Sequence, residues 1–227
     1  MWHVFPAPND AWKFYPDERH PSDVAVCPIG EFATADNGET VAFDCKTICL
    51  KGATSIAALE SVISEKGIGV GDEIFITGLF RSHFGNERNI PIVRVGNIAM
   101  LKSEPILRQH PGGYIEAHII EARSIGGISG SPVFINLPPF RLVDGVVHLR
   151  ECGEHIIYLF GLMHGHFDIR NLQDDAVIDD AGGGINSGIG VVIPVEKIIE
   201  TIEQPDFAAD RREEAVRVGK RIGATPD

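Results

Sequence analysis

The strongest constraint on the fold is how often the chain is interrupted. Its 25 glycines and 14 prolines cut the 227 residues into short apolar runs flanked by turn formers. The runs are Asp23–Cys27, Glu73–Leu79, Ile92–Met100, Tyr114–Ala122, Ser131–Ile135, His155–His164 and Ile189–Ile193. Asp36-Asn37-Gly38, Gly69-Val70-Gly71-Asp72, Pro111-Gly112-Gly113 and Gly182-Gly183-Gly184 supply turns between them. Many short strands with few helical stretches predict an all-β sandwich or barrel rather than βαβ units. Two stretches read as helices. Thr54–Lys66 has Ser55 as a cap and Gly67 as a stop. In Val195–Glu203, Val195, Ile198, Ile199 and Ile202 build one apolar face behind Pro194. The end, Pro205–Asp227, reads as a polar surface helix or a frayed tail.

Composition removes several classes of function. With 20 Lys+Arg against 32 Asp+Glu the formal net charge is −12, which repels phosphate backbones and argues against nucleic-acid binding. Hydrophobic residues at 44% exclude wholesale disorder. No apolar run is long enough for a membrane-spanning helix. Met1-Trp2-His3-Val4 lacks the basic-then-apolar start of a secretory leader, so a cytoplasmic location is expected. Cys27, Cys45, Cys49 and Cys152 lack the spacing of a metal site or disulfide framework. They are expected to be reduced and packed as small apolar groups.

One segment carries chemistry. In Ser124-Ile125-Gly126-Gly127-Ile128-Ser129-Gly130-Ser131-Pro132, a Gly-rich turn joins two strand-like runs, with Ser129 near its apex. Glycines permit φ > 0 and close substrate approach. Such a turn is either a plain Gly/Ser hairpin loop or a hollow. In the second case the N–H groups of Gly127 and Ser129 converge on a developing oxyanion.

The surrounding order favours the second reading. Gly127-Ile128-Ser129-Gly130-Ser131-Pro132 resembles the nucleophile loop of chymotrypsin-like (trypsin-like) serine peptidases. Tyr158-Leu159-Phe160-Gly161-Leu162 resembles the strand that follows it. Asn186-Ser187-Gly188-Ile189-Gly190 onward to Val195 resembles the last barrel strand leading into a C-terminal helix. Upstream, Asp23-Val24-Ala25-Val26 resembles the strand bearing the family's catalytic acid. Trp12-Lys13-Phe14-Tyr15-Pro16-Asp17 and Asn89-Ile90-Pro91-Ile92-Val93-Arg94 resemble the bacterial group. The likeness runs from Trp12 to Glu203.

It implies two β-barrels with the first incomplete: residues 1–95 as a partial N-terminal barrel, 96–204 as a C-terminal barrel with its closing helix, and 205–227 as a polar tail. It implies a serine endopeptidase acting on a polypeptide substrate through an acyl-enzyme, with no cofactor, no metal and no membrane partner. Ser129 would be the nucleophile, and Gly127 and Ser129 the oxyanion donors. Asp23 would orient an imidazole. Read by itself, Asp23 is either a turn residue capping a strand or a charge needing a partner at the head of an apolar run.

The base is where the pattern is incomplete. The resemblance places a His on an apolar strand before the acid. His3 has the right order but no strand before it, and His20 is too close to Asp23. The base is therefore expected at His3 or on sequence upstream of Met1. A Ser hydroxyl without a base is a weak nucleophile. The alternative is accordingly a protease-like module that binds peptides without cutting them. His164-Gly165-His166-Phe167-Asp168 has alternating spacing that a strand would turn to one face, as a metal site needs, but it fits a cleft lining better.

Overall fold

Alternation of apolar side chains along the strands builds the molecule in two shells. The computed structural model describes residues 12–17, 22–27, 32–34, 40–42, 48–79, 91–107, 113–122, 128–143, 145–149, 155–169, 177–178 and 185–222. In chain order the elements begin with β1 (Lys13–Phe14), β2 (Ala25–Val26), β3 (Phe32–Thr34), β4 (Thr40–Ala42) and α1 (Glu60–Glu65). There follow β5 (Glu73–Leu79), β6 (Pro91–Met100), β7 (Ile106–Leu107), β8 (Tyr114–Ile115), β9 (His118–Ala122) and β10 (Pro132–Asn136). The last are β11 (Phe140–Val143), β12 (Val146–Leu149), β13 (Ile157–Ile169), β14 (Val177–Ile178), β15 (Ile185–Pro194), α2 (Val195–Ile202) and α3 (Pro205–Ile222).

Six strands close a barrel in the order β10-β5-β6-β9-β15-β13, with β13 returning to β10. Every pairing around it is antiparallel. Closure removes the unpaired edges that make open sheets sticky. Ile74, Ile76, Ile98, Ile120, Val133, Ile135, Phe160, Met163 and Val192 fill the interior. Each such side chain contributes about 1.5–3 kcal/mol by leaving water.

The same strands have a second apolar face. Ile119, Leu159, Val191 and Ile193 point outward and are covered by Val195 and Ile198 of α2, and by Val24 and Ala57. This explains why β9, β13 and β15 read as nearly unbroken apolar runs. By contrast Val93 and Val95 on the outer face of β6 stay exposed. Strands β13 and β15 approach closely at Gly161, where a Cβ would run into the Ile193 carbonyl.

Several expectations need correction. The predicted helix Thr54–Lys66 shrinks to α1. Its first half is extended instead, because Ala58 N–H donates to the Leu159 carbonyl and Leu159 N–H to that of Ile56, at 2.9 and 2.6 Å. The barrel begins at Glu73, so β5 and half of β6 are staves of it rather than part of an N-terminal unit ending at residue 95. Before α1 only the two-stranded pairs β1–β2 and β3–β4 occur among the described residues. The hairpin β11–β12 was not foreseen. Arg141 ties it to the start of β5 with a bidentate pair to Asp72 at 2.7 and 2.8 Å, and also donates to the Gly67 carbonyl. Val195–Ile202 is helical as expected, and the tail from Pro205 is helical to Ile222. No helix among the described residues is long and apolar enough to cross a membrane.

Candidate active site

Ser129 lies at the tip of a tight turn. Ser131 N–H donates to the Ile128 carbonyl at 3.0 Å, which leaves Ser129 and Gly130 as the two central residues. Gly130 has φ +80°, the left-handed value that the third residue of a type II turn requires. Buried Ile128 and Val133 anchor the turn in the barrel interior, while Ser129 is exposed.

The turn is locked to β13. Gly130 N–H donates to the Met163 carbonyl at 2.7 Å, and Met163 N–H donates to the Ser131 carbonyl at 2.8 Å. Two residues thus oppose one, a bulge led by a glycine in the left-handed region.

Asp23 reaches the next residue of the same strand. Val24 is buried in the outer apolar shell and holds the backbone there. Asp23 Oδ2 lies 3.2 Å from His164 Nδ1, and the carboxylate stays 72% exposed while the imidazole is 2% exposed. A second bulge explains the orientation of His164. The β13–β15 register passes from Met163 opposite Val192 to Gly165 opposite Val191, so His164 is the extra residue. Met163 fills the barrel interior and His164 turns outward to Asp23. The contact is close but not aligned as a hydrogen bond, and buried Nε2 has no hydrogen-bond partner.

The Ser129 turn and Asp23 therefore meet at adjacent residues of β13. Gly127 and His3 lie outside the described residues. Sequence reasoning did not connect His164 with Asp23. No spacing rule joins positions so far apart, and the only local signal was a His at the end of an apolar run. The alternation that a metal site on His164, His166 and Asp168 would need is broken by bulges before Gly165 and between His166 and Asp168. The side chains of His166 and Asp168 lie outside the described set. No group of three potential ligands able to hold a metal occurs among the described residues.

Other ionisable groups are structural. His118 is buried against Phe160, ring centroids 4.0 Å apart, and its Nδ1 accepts the Lys102 amide N–H at 3.0 Å. Burial, helped by the Lys102 charge, pushes it down to about 3. Lys197 sits among Tyr15, Glu116 and Glu200. Burial opposes its charge, but hydrogen bonds to Tyr15 and Glu116 and the charge of Glu200 outweigh burial and raise it. Cys27 is half-buried and Cys49 exposed, so packing as small apolar groups does not hold for Cys49. A hydrogen bond with Thr54, then one with the Lys51 backbone, lowers its thiol.

Comparison of the chain with protein-family models, with curated proteins and with solved structures finds no match.

Proposed function

We propose that the chain is a serine endopeptidase of the trypsin-like type. Ser129 Oγ attacks the peptide carbonyl, its proton passes to an imidazole base, and the same proton leaves with the amine. Water then hydrolyses the acyl-enzyme by the reverse transfers. The N–H groups of Gly127 and Ser129 hold the oxyanion, and Asp23 orients the base. The observation that carries this reading is the meeting of the Ser129 turn and Asp23 at Met163 and His164 of β13. An exposed serine at the tip of a turn thus stands on the same stretch of β13 that meets the acid.

The second reading is a peptide-binding module of the same shape. It is favoured by one observation: the imidazole that meets Asp23 is closed in at both nitrogens and accepts no hydrogen bond from Ser129. A fluorophosphonate probe separates the two readings. An activated Ser129 displaces fluoride from phosphorus and becomes covalently labelled, which mass spectrometry locates. The measurement is made on Met1–Asp227 and on a chain extended by the codons upstream. Rapid labelling of Ser129, absent in Ser129→Ala, supports the peptidase. An unlabelled Ser129 in both chains supports the binding module.

A further inference from the structure

We infer that His164 is a positioning residue of the Ser129 site and not the base itself: its Nδ1 stands 3.2 Å from the Asp23 carboxylate, short of an aligned hydrogen bond, and a small shift of that exposed carboxylate lets Nδ1–H hold it. The inference rests on the peptidase reading and adds a residue that the motif pattern does not contain. Three observations carry it. The 3.2 Å separation of Nδ1 from Oδ2 joins a buried ring to an exposed carboxylate at the site. The bulge between Met163 and Gly165 leaves His164 as the extra residue, and bulges beside active sites commonly re-aim a side chain. The ring is 2% exposed, with Nε2 shut away from solvent. A base must receive the Ser129 proton and return it to the leaving group, and a nitrogen closed in on all sides does neither. A donor fixed by packing can still hold a carboxylate that is itself open to solvent. Asp23 is then held from behind by His164, with its exposed side turned to the base.

The test uses four variants and a comparison of nitrogen-15 spectra. His164→Ala and His164→Phe should each slow labelling of Ser129 by about 100-fold, the scale expected when a reacting constellation is misplaced by about 1 Å. His164→Phe keeps the bulk, so it separates the lost donor from a lost fold, and thermal melting confirms that each variant is folded. His164→Asn places an N–H near the position of Nδ1 and should restore most of the rate. A packing role alone gives no such rescue. Labelling of His164→Phe at the wild-type rate overturns the inference. So does His164→Asn as inactive as His164→Ala, which is the result for a base. Independently of activity, nitrogen-15 spectra of the imidazole should show the proton on Nδ1, and Asp23→Ala should shift that signal. A bare Nδ1, or a ring indifferent to Asp23→Ala, overturns the pairing whatever the labelling. A wild type that never labels, with the Nδ1–H signal present, overturns the peptidase reading and the role with it.

Discussion

His118 makes the fold sensitive to acid by a predictable amount. The ring is 1% exposed, stacked on Phe160, with Nδ1 occupied by the Lys102 amide. Its remaining proton sits on Nε2, and a second proton has no place to go. Burial first, and the Lys102 charge second, lower its pKa from 6.5 to about 3. In the unfolded chain the same ring takes a proton near pH 6.5. Between these values the unfolded state binds more protons, so the contribution is present above pH 6.5 and is lost as pH falls toward 3. The slope is about 1.4 kcal/mol per pH unit. From pH 7 to pH 5 the loss is therefore about 2 kcal/mol, a sizeable part of the total stability of an ordinary domain. His118→Gln keeps an acceptor for the Lys102 amide but cannot be protonated. Urea denaturation at pH 7, 6 and 5, followed by circular dichroism, gives both proteins' stabilities. The variant should be less stable at pH 7, and the gap should narrow by about 2 kcal/mol at pH 5. Other groups titrate equally in both proteins and cancel. A gap that stays constant over this range would falsify the burial argument, because it would mean that folded His118 accepts a proton as readily as the unfolded one.

Three further outcomes follow from backbone geometry and from one ion pair. Gly130→Ala meets no neighbouring atom but must hold φ +80°, so it should cost about 1–2 kcal/mol in urea denaturation. Gly130→Asn should cost less, and equal stability of Gly130→Ala and wild type excludes the proposed turn. Gly161→Ala has ordinary backbone angles but drives its Cβ into the Ile193 carbonyl, so it should be the worse change, at about 3 kcal/mol or more, seen as a lower melting temperature. Arg141→Ala leaves Asp72 half-buried without its guanidinium partner and should cost about 3 kcal/mol. Arg141→Lys should recover only part of this, since an ammonium cannot replace the two-pronged contact.

How much of this was legible in the sequence depends on how local each cause is. β5 matches its predicted bounds because Ile74 and Ile76 alternate with partners on one face and turn formers stand at its start. The helix after Pro194 was legible because its apolar spacing is periodic. The extended stretch at Ile56–Ala58 was not, since its hydrogen bonds go to Leu159, far along the chain. The hairpin β11–β12 did have a local signal, Asp144-Gly145 between apolar runs, with Gly145 at φ +78°. At the site, the Gly-Ser-Gly turn around Ser129 could be read directly. The partner of Asp23 could not, because it depends on a one-residue bulge in β13. A bulge is set by how β13 fits β15, and no residue type in His164-Gly165-His166 announces it.

Asp23 itself stands on a segment with little regular structure to hold it. β1 and β2 are two residues each and, among the described residues, pair only with one another. Their hold on the barrel comes from side chains. Tyr15 donates its hydroxyl to Glu200 at 2.6 Å, Lys197 donates to Tyr15 at 2.9 Å and lies over its ring, and Gln204 donates to the Phe14 carbonyl at 2.8 Å. Each residue on the other side of these contacts belongs to α2 or the turn after it. Tyr15 N–H in turn donates to the Val24 carbonyl at 3.0 Å, next to Asp23. The helix closing the barrel thus also sets where the acid stands. Tyr15→Ala removes the hydroxyl and a ring partly buried against the outer apolar shell, worth together about 1–2 kcal/mol. Opening of this segment should become about 10-fold more frequent, read as faster hydrogen exchange at the amides of residues 15 and 24–26. Amides of the β13–β15 ladder should keep their protection. If ladder and segment speed up together, Tyr15 supports the whole barrel. If neither changes, the acid is held by contacts other than the ring and hydroxyl of Tyr15.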